Sequence, residues 1–273
     1  MRRFCSVHTH SVLCDGKNTL AEMAEAAFAA GAVSFGASGH SHTSLPWDRG
    51  CVLPADPADY RAEVLRLREA YAGRMDVLLG IEWDACSPGL PEGFDYWIGS
   101  VHNLPSPSGE RCYCVDYDEE RLREACRELA GGDFIALARR YYGAAAEMAA
   151  RRPTILGHLD LITKFNAGNR LFDGDAPRYR AAALEALHAA DPHATLLEIN
   201  TGAMARGYRE APYPAPFLLR EWHRMGGRVI LTADAHSASA ILYGYGRAAA
   251  LARAAGFTHT VLLTSAGAVE SAL

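Results

Sequence analysis

Along the 273 residues, short apolar runs alternate with longer alanine-rich stretches whose polar positions recur at helical spacing. The short runs are bounded by glycine, serine or aspartate, as expected of strands buried on both faces. They cover 4–10, 34–38, 76–83, 96–101, 154–159, 195–200 and 228–233, with one last short strand at 260–264. Between them the pattern predicts helices over 19–30, 58–71, 119–130, 134–150, 179–189, 216–225 and 239–255. Gly31, the pair Gly226-Gly227 and Gly256 stop three of these, as residues tolerant of left-handed backbone do. The segments 104–117 and 166–178 read as loops, the first rich in Pro, Ser and Gly.

Strand–helix alternation over the whole length predicts one α/β domain, 1–273, with a parallel sheet and helical crossovers. Seven or eight such units favour a closed barrel over an open doubly wound sheet. The open sheet usually carries a glycine-rich phosphate loop after its first strand, and no GxGxxG or GxxxxGK[ST] occurs here.

Composition narrows the function classes. The net charge is -5, from 27 Lys+Arg against 32 Asp+Glu. That balance argues against a protein that coats nucleic acid, which needs a basic face. No apolar stretch is long enough to span a bilayer, so no membrane partner is expected. The seven cysteines form no CxxC pair, and no apolar run follows Met1-Arg2-Arg3. A reduced, cytoplasmic protein without a signal peptide is expected.

The 11 histidines change the picture. In a parallel barrel the reactive groups sit at the C-terminal ends of the strands. The first strand ends in Val7-His8-Thr9-His10, the second in Ser38-Gly39-His40-Ser41-His42, and the third in Gly80-Ile81-Glu82. Ser100-Val101-His102, Gly157-His158-Leu159-Asp160, Glu198-Ile199-Asn200 and Ala233-Asp234-Ala235-His236 end the others. An HxH pair alone is weak, since about 0.4 are expected by chance at this histidine content. Placement is stronger: strand period two sends His8 and His10 to one face, and Asp234 and His236 likewise. Imidazoles and carboxylates together suit Zn, Fe or Mn. Six or more such groups exceed the four that one tetrahedral ion takes, so a polynuclear site is expected, with Glu82 as a natural bridge. His40 leaves the strand before His42 and is the preferred ligand. Asp15, in Cys14-Asp15-Gly16, is a further candidate. His188, His193, His223 and His259 lie away from strand ends and read as ordinary surface or packing histidines.

Taken together, His8-Thr9-His10 with Asp15-Gly16, His40, Gly80-Ile81-Glu82, Ser100-Val101-His102, Gly157-His158-Leu159-Asp160 and Thr232-Ala233-Asp234-Ala235-His236 resemble the polymerase-and-histidinol-phosphatase (PHP) superfamily. Within it, Glu198-Ile199-Asn200-Thr201 and the 157–165 run look like the stand-alone histidinol-phosphatases of histidine biosynthesis. The resemblance implies a distorted (β/α)7 TIM-like barrel holding three divalent metal ions, Zn, Fe or Mn. One ion would take His8, His10, Glu82 and Asp234, a second Glu82, His102 and His158, and a third Asp15, His40 and His236. Glu82, Asp234 and His236 would be catalytic in hydrolysing a small phosphate monoester, L-histidinol phosphate. Gly39 stands where relatives commonly carry Asp, and Thr163 where they carry Arg. Lys164 and Arg206 are the expected phosphate contacts, and Asp160 is expected to orient a liganding histidine. The rival readings are a PHP phosphodiesterase or nucleotidase, and a non-catalytic metal-binding module.

Overall fold

Local chemistry sets the element boundaries. In the first helix, Thr19 accepts from the Glu22 main-chain N–H while the Glu22 carboxylate accepts from the Thr19 N–H, a reciprocal cap on its free N-terminal donors. Asp118 and Asp133 cap two later helices one-sidedly, their carboxylates accepting from the Arg121 N–H and from the Ile135 and Ala136 N–H groups, and Gly131 ends one of them in left-handed backbone.

The computed structural model describes residues 3–43, 45 and 51–273. Met1 and Arg2, on which the signal-peptide reading partly rests, lie outside them. The elements run β1 (Cys5–Ser6), α1 (Leu20–Ala29), β2 (Ser34–Ala37), α2 (Ala58–Ala70), β3 (Asp76–Asp84), β4 (Tyr96–Ser100), β5 (Asn103–Pro105) and β6 (Cys112–Cys114). Then come α3 (Glu119–Ala130), α4 (Phe134–Ala150), β7 (Ile155–Leu156), α5 (Pro177–His188), β8 (Leu196–Asn200), α6 (Gly202–Ala205) and α7 (Pro216–Arg224). The chain ends with β9 (Arg228–Thr232), α8 (Tyr245–Ala254), β10 (His259–Thr264) and β11 (Gly267–Ala272).

Seven parallel strands pair in the order β1-β2-β3-β4-β7-β8-β9. This is the expected α/β barrel, and its distortion lies where β9 meets β1. There the seam is a single parallel bridge, Thr9 to Ala235, with the His10 N–H donating to Ala235 O at 2.9 Å and the Ala235 N–H to His8 O at 3.0 Å. At the opposite end of the barrel, the antiparallel β10–β11 hairpin closes the floor. Thr260 Oγ1 donates to Val229 O and Ser34 Oγ to Leu263 O. Val261, Leu262 and Leu263 pack into the interior with Val7, Leu78, Ile98, Ile155 and Ile230.

One large ring lies among these aliphatic side chains. Tyr96 lies across the barrel, its hydroxyl donating to Val7 O at 2.6 Å. Gly36 and Gly80 make this possible, since a Cβ at either would sit 2.2–2.3 Å from Tyr96 atoms.

Several expected elements differ. The last predicted strand is the first arm of the floor hairpin and not a barrel stave, because its partner segment 267–272 pairs with it locally. The predicted loop 104–117 carries the β5–β6 hairpin, too short to show a periodic pattern. The predicted helix over 239–255 begins as a 3-10 turn at Ala238–Ala240, and α8 starts only at Tyr245 after left-handed Gly244. The loop read over 166–178 holds a 3-10 turn, and α5 already starts at Pro177.

Candidate metal centre

Most strands deliver their candidate ligands just beyond the regular pairing, where the chain leaves the sheet at the C-terminal rim, and Glu82 stands within β3 itself. His8 and His10 follow β1, His40 follows β2 and bridges to Glu82 of β3, and His102 follows β4. His158 follows β7, and Asp234 and His236 follow β9. Asp15 reaches the same rim from a turn in which the Cys14 and Gly16 N–H groups both donate to Ser11 O.

Four overlapping groups of closely spaced ligand atoms are found among the described residues, and they are built from nine side chains. Those nine are His8, His10, Asp15, His40, Glu82, His102, His158, Asp234 and His236. The structure thus brings together every residue expected to hold metal. His42 is half-buried and belongs to none of the groups. Of the background histidines, His188 pairs with Glu221 and His223 packs edge-on against Phe257.

Donor separations test whether cations fit. Two ligands on one tetrahedral ion, each at about 2.1 Å, lie roughly 3.4 Å apart. His8 Nε2 is 3.3 Å from Glu82 Oε2 and 3.6 Å from Asp234 Oδ1, and His10 Nε2 is 3.5 Å and 3.3 Å from the same two oxygens. On the other Glu82 oxygen, His102 Nε2 lies at 3.4 Å and His158 Nε2 at 2.9 Å. Asp15 Oδ2 is 3.5 Å from His40 Nε2 and 3.1 Å from His236 Nε2. His8 Nε2, His10 Nε2 and Glu82 Oε2 are buried and make no hydrogen bond. Polar atoms left so at the same point are costly without a ligand. The cluster fits divalent metal.

Its electrostatics agree. Burial opposes charge on His8, but the carboxylates of Glu198, Glu82 and Asp234 outweigh it and hold the imidazole well above its ordinary pKa. Burial likewise opposes ionisation of Glu82, and His8, His40 and His102 overcome it and hold the carboxyl well below the usual range. For His10, burial and the neighbouring His236 and His40 act together and push the ring down to about 3. Asp234 sits at φ 47, a left-handed conformation rare for residues other than glycine and costing on the order of 1 kcal/mol. Gly202 leaves the space for it, since a Cβ there would lie 2.5 Å from Asp234 Oδ2.

The cluster opens into a cavity of about 380 Å³. Lys164 and Arg206 both line it, with Asp116, Tyr117 and Tyr208. Lys164 Nζ donates to Asp116 O at 2.5 Å, and its charge pulls the half-buried Asp116 carboxyl down to about 2 against the effect of desolvation. Arg206 donates to Asp234 Oδ2 at 3.0 Å and lies 2.8 Å from His236 Nδ1. Thr163 takes no part in this wall, and its hydroxyl is held by Arg209.

One expectation is corrected. Asp160 contacts no histidine through a hydrogen bond: its Oδ2 accepts from the Ala215 N–H at 2.9 Å, and its Oδ1 is buried without a partner. It follows His158 at period two but points toward the start of α7. The residues that do hold histidines were not expected. Asp84 Oδ2 accepts from the His102 main-chain N–H at 2.8 Å and lies 3.1 Å from its Nδ1. Glu198 Oε1 lies 2.5 Å from His8 Nδ1. Period two puts Asp84 on the face of Glu82 and Glu198 on that of Asn200, but does not name the histidines they meet.

The chain is similar to known proteins. The PHP domain family matches residues 5–202. A probable histidinol-phosphatase of Deinococcus radiodurans is 33% identical over 250 residues, covering 86% of this chain and 87% of that protein. The histidinol-phosphatase of Bacillus subtilis is 26% identical over 262 residues, covering 87% and 95%. In fold, the chain is similar to the crystal structure of histidinol phosphate phosphatase from Lactococcus lactis complexed with Zn, L-histidinol and phosphate. The TM-score is 0.69 at 19% identity, with 98% of each chain covered. A rim of histidines and carboxylates on a seven-stranded barrel, matched over most of the chain by that domain, shows that this protein belongs to the PHP family.

Proposed function

We propose that the protein is a metal-dependent phosphomonoesterase that hydrolyses L-histidinol phosphate to L-histidinol and phosphate in histidine biosynthesis, in the cytoplasm. The observation that carries this reading is the convergence of unpartnered His8, His10 and Glu82 atoms beside a cavity lined by Lys164 and Arg206. The identity to the Deinococcus and Bacillus proteins supports the substrate. The cavity is of a size for a small phosphate monoester.

Three ions are proposed, Zn, Fe or Mn by donor chemistry. His8, His10, Glu82 and Asp234 would hold one, Glu82, His102 and His158 a second, and Asp15, His40 and His236 a third. Bound ions supply charge neutralisation at the phosphoryl oxygens and activation of water as the nucleophile. The chain's own residues do the rest. Glu82 presents one oxygen to His8 and His10 and the other to His102 and His158, and so would serve both inner sites. Lys164 and Arg206 bind phosphate oxygens and orient the ester bond. Arg206 lines the cavity while its guanidinium donates to Asp234 O at 3.2 Å and Oδ2 at 3.0 Å, which holds it beside the candidate ligands.

The test is turnover by purified protein on histidinol phosphate, nucleoside monophosphates and short DNA, beside elemental analysis. Histidinol phosphate should be preferred, and His10→Ala and Asp234→Ala should abolish turnover with the far-ultraviolet circular dichroism unchanged. Full activity in either variant with metal still bound would overturn the assignment. Preferred turnover of nucleotides or DNA would replace the substrate, and bound metal without turnover would leave a binding module.

A further inference from the structure

Glu198, wholly buried on β8, joins four elements through its two oxygens. Oε1 accepts from Thr232 Oγ1 at 2.7 Å and lies 2.5 Å from His8 Nδ1. Oε2 accepts from the His158 main-chain N–H at 2.7 Å and from Asn200 Nδ2 at 3.0 Å. The Asn200 amide cannot be reversed, because its Oδ1 accepts from the Gly202 N–H at 2.8 Å. A carboxylate only accepts, so His8 must offer it a proton on Nδ1. Nε2 then faces Glu82 Oε2 and Asp234 Oδ1 and makes no hydrogen bond; a cation that displaces its proton would meet the Nε2 lone pair there.

We infer that Glu198 is a positioning residue: it holds His8 as the Nδ1–H tautomer and braces His158, so that two histidines of different strands reach the metal centre in register. The inference rests on the proposed metal site and goes beyond it, since Glu198 touches neither cation nor substrate. Carboxylates behind liganding histidines fix ring orientation and basicity, and their loss typically lowers metal affinity roughly 10–100-fold.

Glu198→Gln makes the case testable because the amide must place its NH2 on one side. On the Oε2 side it would face the His158 N–H and the Asn200 NH2, neither of which can accept. It must therefore face Thr232 and His8. Thr232 can rotate its hydroxyl and accept, but His8 can accept only by moving its proton to Nε2, the atom that faces the cation site.

Zinc titration of metal-free protein should show Glu198→Gln losing affinity about 10–100-fold, with an unchanged circular dichroism spectrum. In zinc-loaded, 15N-histidine-labelled wild type, long-range proton–nitrogen spectra should place the His8 ring proton on Nδ1, in a downfield signal absent from His8→Ala. Equal zinc affinity in the variant, or a wild-type His8 proton on Nε2, would overturn the inference and leave the metal site standing. The wild-type spectrum decides the matter even where the variant does not fold. Wild type that binds no zinc, iron or manganese would instead overturn the metal site beneath it.

Discussion

Lys164 shows how a surface-type residue is turned to chemistry. It is 7% exposed, its ammonium is tethered to Asp116, and the two close one side of the cavity. A cation held this way contributes to phosphate binding without a large entropic cost of ordering. Lys164→Ala should raise KM for the phosphate ester roughly 10–100-fold, the equivalent of a charge-assisted hydrogen bond of about 1.5–3 kcal/mol, with a smaller change in kcat. Steady-state kinetics with the folded variant measures it, and an unchanged KM would remove Lys164 from the binding wall. At this scale the candidate metal ligands were legible because strand ends and period two place them on one face. The braces behind them were less so. Nothing in the order of residues says that Asp84 and Glu198 turn toward histidines while Asp160 turns toward the Ala215 N–H. That choice depends on which strand lies adjacent.

Elements divide by the range of their causes. Helices α1, α3 and α4 were predicted within a residue or two, since their caps Thr19, Asp118 and Asp133 and their apolar spacing are local. The staves β1 and β7 are shorter than expected, two residues each, because the rest of each apolar run peels away to reach the metal centre or the floor. The β10–β11 hairpin was half-seen: β10 is apolar, but β11 is mostly exposed and carries no strand signal. Its function is to seal the end of the barrel away from the chemistry. Leu262, 3% exposed there, gives a clean separation of roles. Leu262→Ala should lower unfolding free energy by roughly 2–5 kcal/mol, read from denaturant melts, while kcat at low temperature stays near wild type. A kcat loss as large as that in a rim variant would contradict the separation.

The whole molecule is coupled to the rim by charge. Without cations, Glu82 is held ionised by the histidines around it and Asp234 by Arg206 together with His8, while His8 and His102 are held protonated, His102 up to about 10. A histidine whose folded pKa is raised stabilises the fold below its unfolded value near 6.5, and that stability fades as pH rises through the folded value. Metal must displace those protons. Chelation should therefore lower the melting temperature more at pH 8 than at pH 6. At saturation a thousandfold above Kd, one ion adds about 4 kcal/mol, or on the order of 10 °C for a chain of this size. Differential scanning calorimetry with and without chelator checks it, and a chelation effect that shrinks with rising pH would contradict the charge balance. The sequence by itself determined the alternation that makes a parallel barrel and the residue types at its strand ends, because both follow from periodicities of one or two turns or pleats. Only the tertiary structure decided the floor hairpin, the open seam at Thr9 and Ala235, the cavity and the carboxylates behind the histidines. The seam, the cavity, the histidine braces and the seat of the hairpin against Val229 and Ser34 join segments far apart in the chain, such as His8 and Glu198, and no local pattern records a partner at that distance.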